Sequence, residues 1–297
     1  VIASFAWAIF TLIAAASQTL RNATQRGLIT RLGTIGATHV RFLFGLPFAC
    51  VFLAIVVGVL GPPPSVLDVS VLAWSFAGAV TQILATMLML SAMKDRSFVV
   101  TTAYVKTEPV QTAVVGLVLL GDSITPLLAV AICIAVAGVL VLSRAPASSE
   151  TRSIRPALLG IAAGGFFGLS AVSFRGAILD LAAPHFVLGA STILVLGLSI
   201  QVALVSVWLV WRDRQTFREI LKAWKPSLAA GFLGALASQF WFLAFALESA
   251  AKVRTLALVE ILFAQVLSRT LFKEGINARE SVGIALVVVG VLILLRT

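Results

Sequence analysis

Thr107–Leu142 reads TEPVQTAVVGLVLLGDSITPLLAVAICIAVAGVLVL, and this stretch decides the fold. Two apolar runs flank the polar break Gly121-Asp122-Ser123, and Glu108 sits inside the first of them. A helix needs about 20 apolar residues to cross the hydrocarbon of a bilayer. The pattern then recurs. Glu108 returns 152 residues later as Glu260, Asp122 as Glu274, and Gly138-Val139-Leu140-Val141-Leu142 as Gly290-Val291-Leu292-Ile293-Leu294. Arg21-Asn22-Ala23 and Arg175-Gly176-Ala177 match at an offset two residues longer. One such match is chance; several in order argue for an internal duplication.

Apolar runs continue outward from this core. They lie near 2–20, 33–60, 69–93, 98–120, 125–143, 157–179, 185–211, 227–247, 253–272 and 280–296. The run 2–20 has the length of a secretory leader, but more apolar runs follow it, so it reads as a first span. Punctuation falls between runs, at Gly61-Pro62-Pro63-Pro64, Lys94-Asp95-Arg96 and Gly121-Asp122-Ser123. The composition agrees. Of 297 residues, 60% are hydrophobic and 11% charged, where a soluble domain is about half apolar and a quarter charged. So much apolar surface needs lipid as a second solvent.

The expected fold class is therefore an all-α integral membrane protein of ten transmembrane helices in two inverted five-helix repeats. Residues 1–144 form the first repeat, 145–155 a linker rich in Ser, Arg and Pro, and 156–297 the second. Inversion follows from the odd number of spans per repeat, and loop charges support it. The first connection carries Arg21, Arg26 and Arg31; its counterpart, Leu181–Pro184, has no basic residue. The second, Gly61–Leu67, has none, whereas its counterpart has Arg212, Arg214, Arg218, Lys222 and Lys225. The fourth has only Asp122, against Arg269, Lys273 and Arg279; the third pair, Lys94 and Arg96 against Lys252 and Arg254, does not reverse. Basic residues thus favour odd-numbered connections, which the positive-inside rule assigns to the cytoplasm, with both termini outside.

The net charge of +10 fits loops that touch lipid headgroups and lacks the aromatic interleaving of a nucleic-acid surface; no nucleic-acid partner is expected. Cys50 and Cys133 lie within apolar runs and read as packing residues, not a disulfide or a metal pair. No Walker loop, zinc spacing or nucleophile elbow is present. No cofactor, metal or enzymatic activity is expected.

Thr107-Glu108-Pro109, Gly116, Gly121-Asp122 and Gly138-Val139 in one half, with Val259-Glu260, Ala264, Phe272-Lys273-Glu274, Gly283 and Gly290-Val291 in the other, resemble the drug/metabolite transporter superfamily, specifically its EamA-type ten-span exporters. The resemblance covers essentially the whole chain. It implies a central cavity between the repeats, alternating access and transport of amino acids or other small metabolites. It also implies cytoplasmic termini, opposite to the charge count.

Ionisable groups within a bilayer are costly and usually face a pathway or a partner. On a continuous helix Glu108 shares a face with Thr101, Tyr104, Gln111 and Thr112. That stripe predicts a hydrated path that binds substrate or a proton; the structural alternative is a glutamate paired with Arg41 or Lys106. Glu260 is its repeat mate, on a face of small residues (Ala257, Ala264, Ser268), with a salt bridge to a nearby base as the alternative. Arg41, Lys106, Arg175, Lys252 and Arg254 outnumber these acids, which favours a zwitterionic or anionic substrate. Snorkelling to an interface is the plainer reading of Arg175, Lys252 and Arg254. His39 beside Arg41 reads as an interface histidine. Gln18, Gln82 and Gln239 add neutral polar groups in spans one, three and eight, for a site or for interhelical hydrogen bonds. Gly160, Gly164 and Gly168 read as a close-packing seam, and Phe240, Trp241, Phe242 and Phe245 as an aromatic wall or as lipid-facing rings.

The expected function is secondary transport of a small amino-acid-like, zwitterionic or anionic metabolite, as an exporter working as a monomer. Lipid would be the surrounding partner, and the bacterial inner membrane the location. The alternative is a lipid flippase or a polytopic lipid-modifying membrane enzyme.

Overall fold

The computed structural model describes residues 5–95, 104–142, 155–263 and 278–297. Among them no strand occurs. The helices are α1 (Ala6–Leu43), α2 (Leu46–Leu60), α3 (Val69–Asp95), α4 (Glu108–Leu120), α5 (Pro126–Leu142), α6 (Arg155–Leu181), α7 (Phe186–Arg212), α8 (Arg214–Lys222), α9 (Trp224–Leu247), α10 (Ala250–Leu256) and α11 (Ala278–Leu294), with a 3₁₀ turn at Ala257–Val259. Five stretches are long and apolar enough to cross a membrane: Leu32–Leu60, Val69–Ala92, Ala157–Leu181, Phe186–Arg212 and Trp224–Leu247. Glu108–Leu120 and Pro126–Leu142 are shorter apolar helices. Large side chains such as Val59, Trp211 and Val118 stay exposed along them, as lipid contact requires.

The first expected loop is not one. Helix α1 runs through Arg21–Arg31 and is interrupted only at Gly33 (φ 67, ψ −176). That backbone conformation is strained for any residue with a Cβ. Arg21 is consequently a helical residue, and it is buried. Pro47 lies in the first turn of α2, where its missing N–H would be unpaired anyway, after the turn at Phe44-Gly45. The Gly61–Leu67 break, the Leu181–Pro184 connection and the end of α4 at Gly121 (φ 68) fall where the sequence places them.

By contact the chain forms two compact units, residues 1–83 with 173–248, and residues 84–172 with 249–297. Each unit draws on both halves of the sequence.

In the first unit α1 packs along α9, and α7 packs on α2 and α9. A Cβ on Gly231 would lie 2.6 Å from the backbone carbonyl of Phe44, so α9 and the Phe44-Gly45 bend touch backbone to backbone. Helix α8 is short and two-faced. Ile220 is fully buried with Leu32, Val40 and Leu209, while Arg214, Arg218 and Lys222 are exposed. Asp213 caps it, its carboxylate accepting from the Thr216 N–H at 3.0 Å. Hydrogen bonds from the Thr216 side chain and backbone hold the Asp213 carboxyl below its ordinary value. A depressed carboxyl stabilises above its unfolded value and stops doing so as acid protonates it. The cap therefore holds at neutral pH.

In the second unit α5 and α11 form the tightest pair, and α4 packs on α10. The glycine seam of α6 lies against α4 and the turn before it. A Cβ on Gly164 would meet the Val105 carbonyl at 2.9 Å, and one on Gly168 the Thr112 hydroxyl at 2.6 Å. The seam is structural, as its four-residue spacing indicates.

Candidate functional site

Both glutamates of the duplicated motif sit just after an irregular turn of their helix. On the first, Lys106 and Thr107 form a turn. The Thr107 N–H donates to the Tyr104 carbonyl at 3.2 Å, and the Val110 N–H to the Thr107 carbonyl at 3.2 Å. The α-helix begins only at Glu108, with Thr107 as N-cap and Pro109 in the first turn. Proline is suited to that position because its missing N–H would be unsatisfied there anyway. On the second, Ala257–Val259 tighten into a 3₁₀ turn and Glu260 follows directly. Glu108, which opens α4, lies at the positive end of its helix dipole. Broken helices at membrane depth are tolerated where the freed backbone is buried in protein or lines a cavity.

Around these turns four charges meet. Lys106 Nζ donates to Glu260 Oε2 at 2.8 Å, and Arg254 Nε lies 3.0 Å from Glu108 Oε1. The second contact is Coulombic; the two atoms are close but not aligned as a hydrogen bond. The side chains are only 11–16% exposed. Each pair joins one residue of the first sequence repeat to one of the second. Arg254 thus faces an acid rather than snorkelling to an interface, and the salt bridge of Lys106 is to Glu260 rather than to Glu108. The reason is cost, since a charge held away from water needs a partner.

The remaining expected site residues scatter. Thr101 lies outside the described residues, and Tyr104 precedes the break. Because the helix restarts at Glu108, the expected polar stripe is not one continuous face. Gln111 donates to the Thr107 hydroxyl at 3.1 Å and to the Ile161 carbonyl at 3.2 Å, and it fills the space beside Gly165. Thr112 is fully buried and returns its hydroxyl to the Glu108 carbonyl at 2.8 Å. Both bind their own unit together.

The neutral amides belong to the first unit and tie its helices. Gln18 accepts from Trp241 Nε1 at 3.3 Å. Gln239 donates to Ser191 Oγ at 2.8 Å. Gln82 accepts from Gln201 at 2.7 Å; Gln201 is fully buried mid-helix in α7, and its sequence signal was an isolated amide within an apolar run. His39 is fully buried, with Nε2 at 2.9 Å from Ser206 Oγ and its ring 6.1 Å from that of Phe217. Trp241, Phe242 and Phe245 are buried and packed ring to ring, with Phe174 4.8 Å from Phe242; they do not face lipid. Arg41 and Arg21 both flank Gly234 of α9, at 3.3 and 3.5 Å from where its Cβ would stand.

Arg175 does not snorkel either. Its Nη1 donates to the carbonyls of Phe245 at 2.6 Å and Glu248 at 2.5 Å. These carbonyls end α9, where a cation also meets the negative pole of the helix. Arg175→Gln should lower the melting temperature of detergent-solubilised protein, by an amount set by two charge-assisted hydrogen bonds at about 1.5–3 kcal/mol each. Arg175→Lys should retain part of it. Equal melting of the Gln variant and the parent would remove this role.

Long apolar helices, a duplicated sequence and buried charges at irregular helix turns define a polytopic helical membrane protein. The sequence model of the EamA-like transporter family matches residues 3–144 and again residues 154–296, so the chain belongs to that family, as two repeats. It is thus an integral membrane protein of a transporter family. A solved crystal structure superposes with a TM-score of 0.72 over 99% of this chain and 98% of that one, at 13% identity, which speaks to the fold alone. No curated protein sequence matches the chain.

Proposed function

We propose that the protein is a secondary transporter of ten spans in two inverted repeats, which exports a small zwitterionic or anionic metabolite of amino-acid type across the bacterial inner membrane. Glu108, Glu260, Lys106 and Arg254 hold the substrate or the coupling proton. The observation that carries this reading is the pair of ion pairs between the two sequence repeats, each glutamate just after an irregular helix turn. A zwitterion matches such a quartet, its carboxylate taking the bases and its ammonium the acids. Discontinuous helices are also where carriers place substrate and coupling-ion sites. Rocking of the repeats would expose the site alternately to each side, within a single chain. If Glu108 or Glu260 carries the coupling proton, transport should depend on a pH gradient; equal flux without one removes that step.

A thermal-stability screen tests the reading, using amino acids, amines, organic anions, nucleosides and lipids. A specific ligand at about 100 times its dissociation constant stabilises by about 2.7 kcal/mol. One metabolite class should stabilise the parent and not Glu108→Gln. Stabilisation by lipids alone would favour a flippase or a lipid-modifying enzyme instead.

A further inference from the structure

The connection between α7 and α9 carries more than orientation charge. From Arg212 to Lys225 the chain reads RDRQTFREILKAWK, with five exposed cations (Arg212, Arg214, Arg218, Lys222 and Lys225) and two acids. Both acids are engaged, Asp213 as the cap of α8 and Glu219 by Lys222 at 2.8 Å. Exposed tryptophans bracket the helix, Trp211 at 79% and Trp224 at 48%, each beneath a cation: Arg212 at 5.3 Å and Lys225 at 5.6 Å. Tryptophan with cations at a helix end is the chemistry of the headgroup layer, and a short basic two-faced helix lies in that layer.

Beside α8 is a cleft of about 450 Å³, lined by Ser206, Val207, Val210, Trp211 and Arg214. Val207 is 70% exposed, so the wall is open and apolar. Arg214 stands at its head. Its Nε donates to the Val210 carbonyl at 2.9 Å, which fixes the guanidinium and leaves both terminal nitrogens for a ligand. Arg218 follows one turn later on the same side of α8. A groove of valine and tryptophan headed by the Arg214 guanidinium, with Arg218 one helical turn beyond it, matches an acyl chain that ends in a phosphate.

We propose that this cleft is a binding site for one anionic phospholipid, with an acyl chain along Val207, Val210 and Trp211 and its phosphate on Arg214 and Arg218. The site shares no residue with the charged quartet and does not depend on what the protein transports.

Native mass spectrometry of the protein in neutral detergent tests it, with phosphatidylglycerol titrated against phosphatidylcholine of the same chains. Phosphatidylglycerol adducts should survive at least ten-fold better. Arg214→Ala/Arg218→Ala and Trp211→Ala should each lose that preference, and Arg214→Lys/Arg218→Lys should keep most of it. Equal retention of both lipids, an unchanged Arg214→Ala/Arg218→Ala variant, or equal competition by soluble glycerol phosphate would overturn the proposal. Should the alanine variants fail to fold, a phosphatidylglycerol carrying a photoreactive acyl chain replaces them, applied to the parent protein. Crosslinks concentrated on 206–214 support the site, and crosslinks spread evenly over the other apolar helices overturn it.

Discussion

Glu108→Leu will destabilise the protein by about 3–5 kcal/mol, the usual cost of stripping one partner from a buried ion pair. Arg254, 3.0 Å from Glu108 in the parent, would lose the carboxylate that offsets its desolvation. The double variant Glu108→Leu/Arg254→Met will recover most of that loss, because apolar residues of similar volume replace a buried pair at little or no cost. Transport should not recover. Whichever metabolite the stability screen returns, its flux in proteoliposomes should be abolished in the single variant and in the stable double variant alike. This separates the pair's contribution to folding from its contribution to function. A double variant that melts like the parent and still transports would reduce the pair to a structural contact. A double variant no more stable than the single would mean that Arg254 is held mainly by other groups.

Much of the architecture was legible because lipid imposes a simple rule. Apolar runs bounded by Gly61-Pro62-Pro63-Pro64 or Gly121-Asp122 had to be helices, since no other open structure satisfies its backbone in hydrocarbon. Arg21–Arg31 misled for a physical reason. Charges suggest a connection, but no helix breaker occurs before Gly27 and none acts before Gly33, so the helix continues and carries Arg21 inward. The glutamates were legible through the duplication, and Lys106 as a candidate partner, but the crossed pairing of Lys106 with Glu260 and Arg254 with Glu108 was not. Arg254 lies 146 residues beyond Glu108, and no local pattern brings the two together. The break before Glu108 did leave a signal. Thr107-Glu108-Pro109 has the residue types of a helix start, a threonine, an acid and a proline in order, although the Thr107 hydroxyl turns back to the Tyr104 carbonyl at 2.7 Å instead of capping the helix. Taken that way, it would have ended the stripe at Glu108 and left Gln111 and Thr112 to packing.

Gly138→Val will separate α5 from α11 and sharply reduce the yield of folded protein. A Cβ at Gly138 would stand 2.7 Å from the Val287 nitrogen and 2.8 Å from the Gly283 carbonyl oxygen, and one at Gly290 would stand 2.7 Å from the Ala135 nitrogen. These are backbone atoms and cannot turn away as a flexible side chain would. Overpacking costs about 1–3 kcal/mol where the surroundings can shift; here one helix must move off the other. The contacts also mirror each other. Adding the repeat offset of 152 carries Gly138 onto Gly290 and Ala135 onto Val287, so the approach of Gly138 to Val287 is the repeat image of that of Gly290 to Ala135. Gly290→Val should therefore harm the protein about as much as Gly138→Val, with the two alanine variants milder. Gly58→Ala is the control, because nothing lies within 4 Å of its Cβ position and alanine is the better helix former by about 0.5–1 kcal/mol. Melting in detergent should rank Gly58→Ala with the parent and both valine variants far below. A Gly138→Val protein that melts with the parent would show that the seam can open, and the duplicated glycines would then need another explanation than close packing.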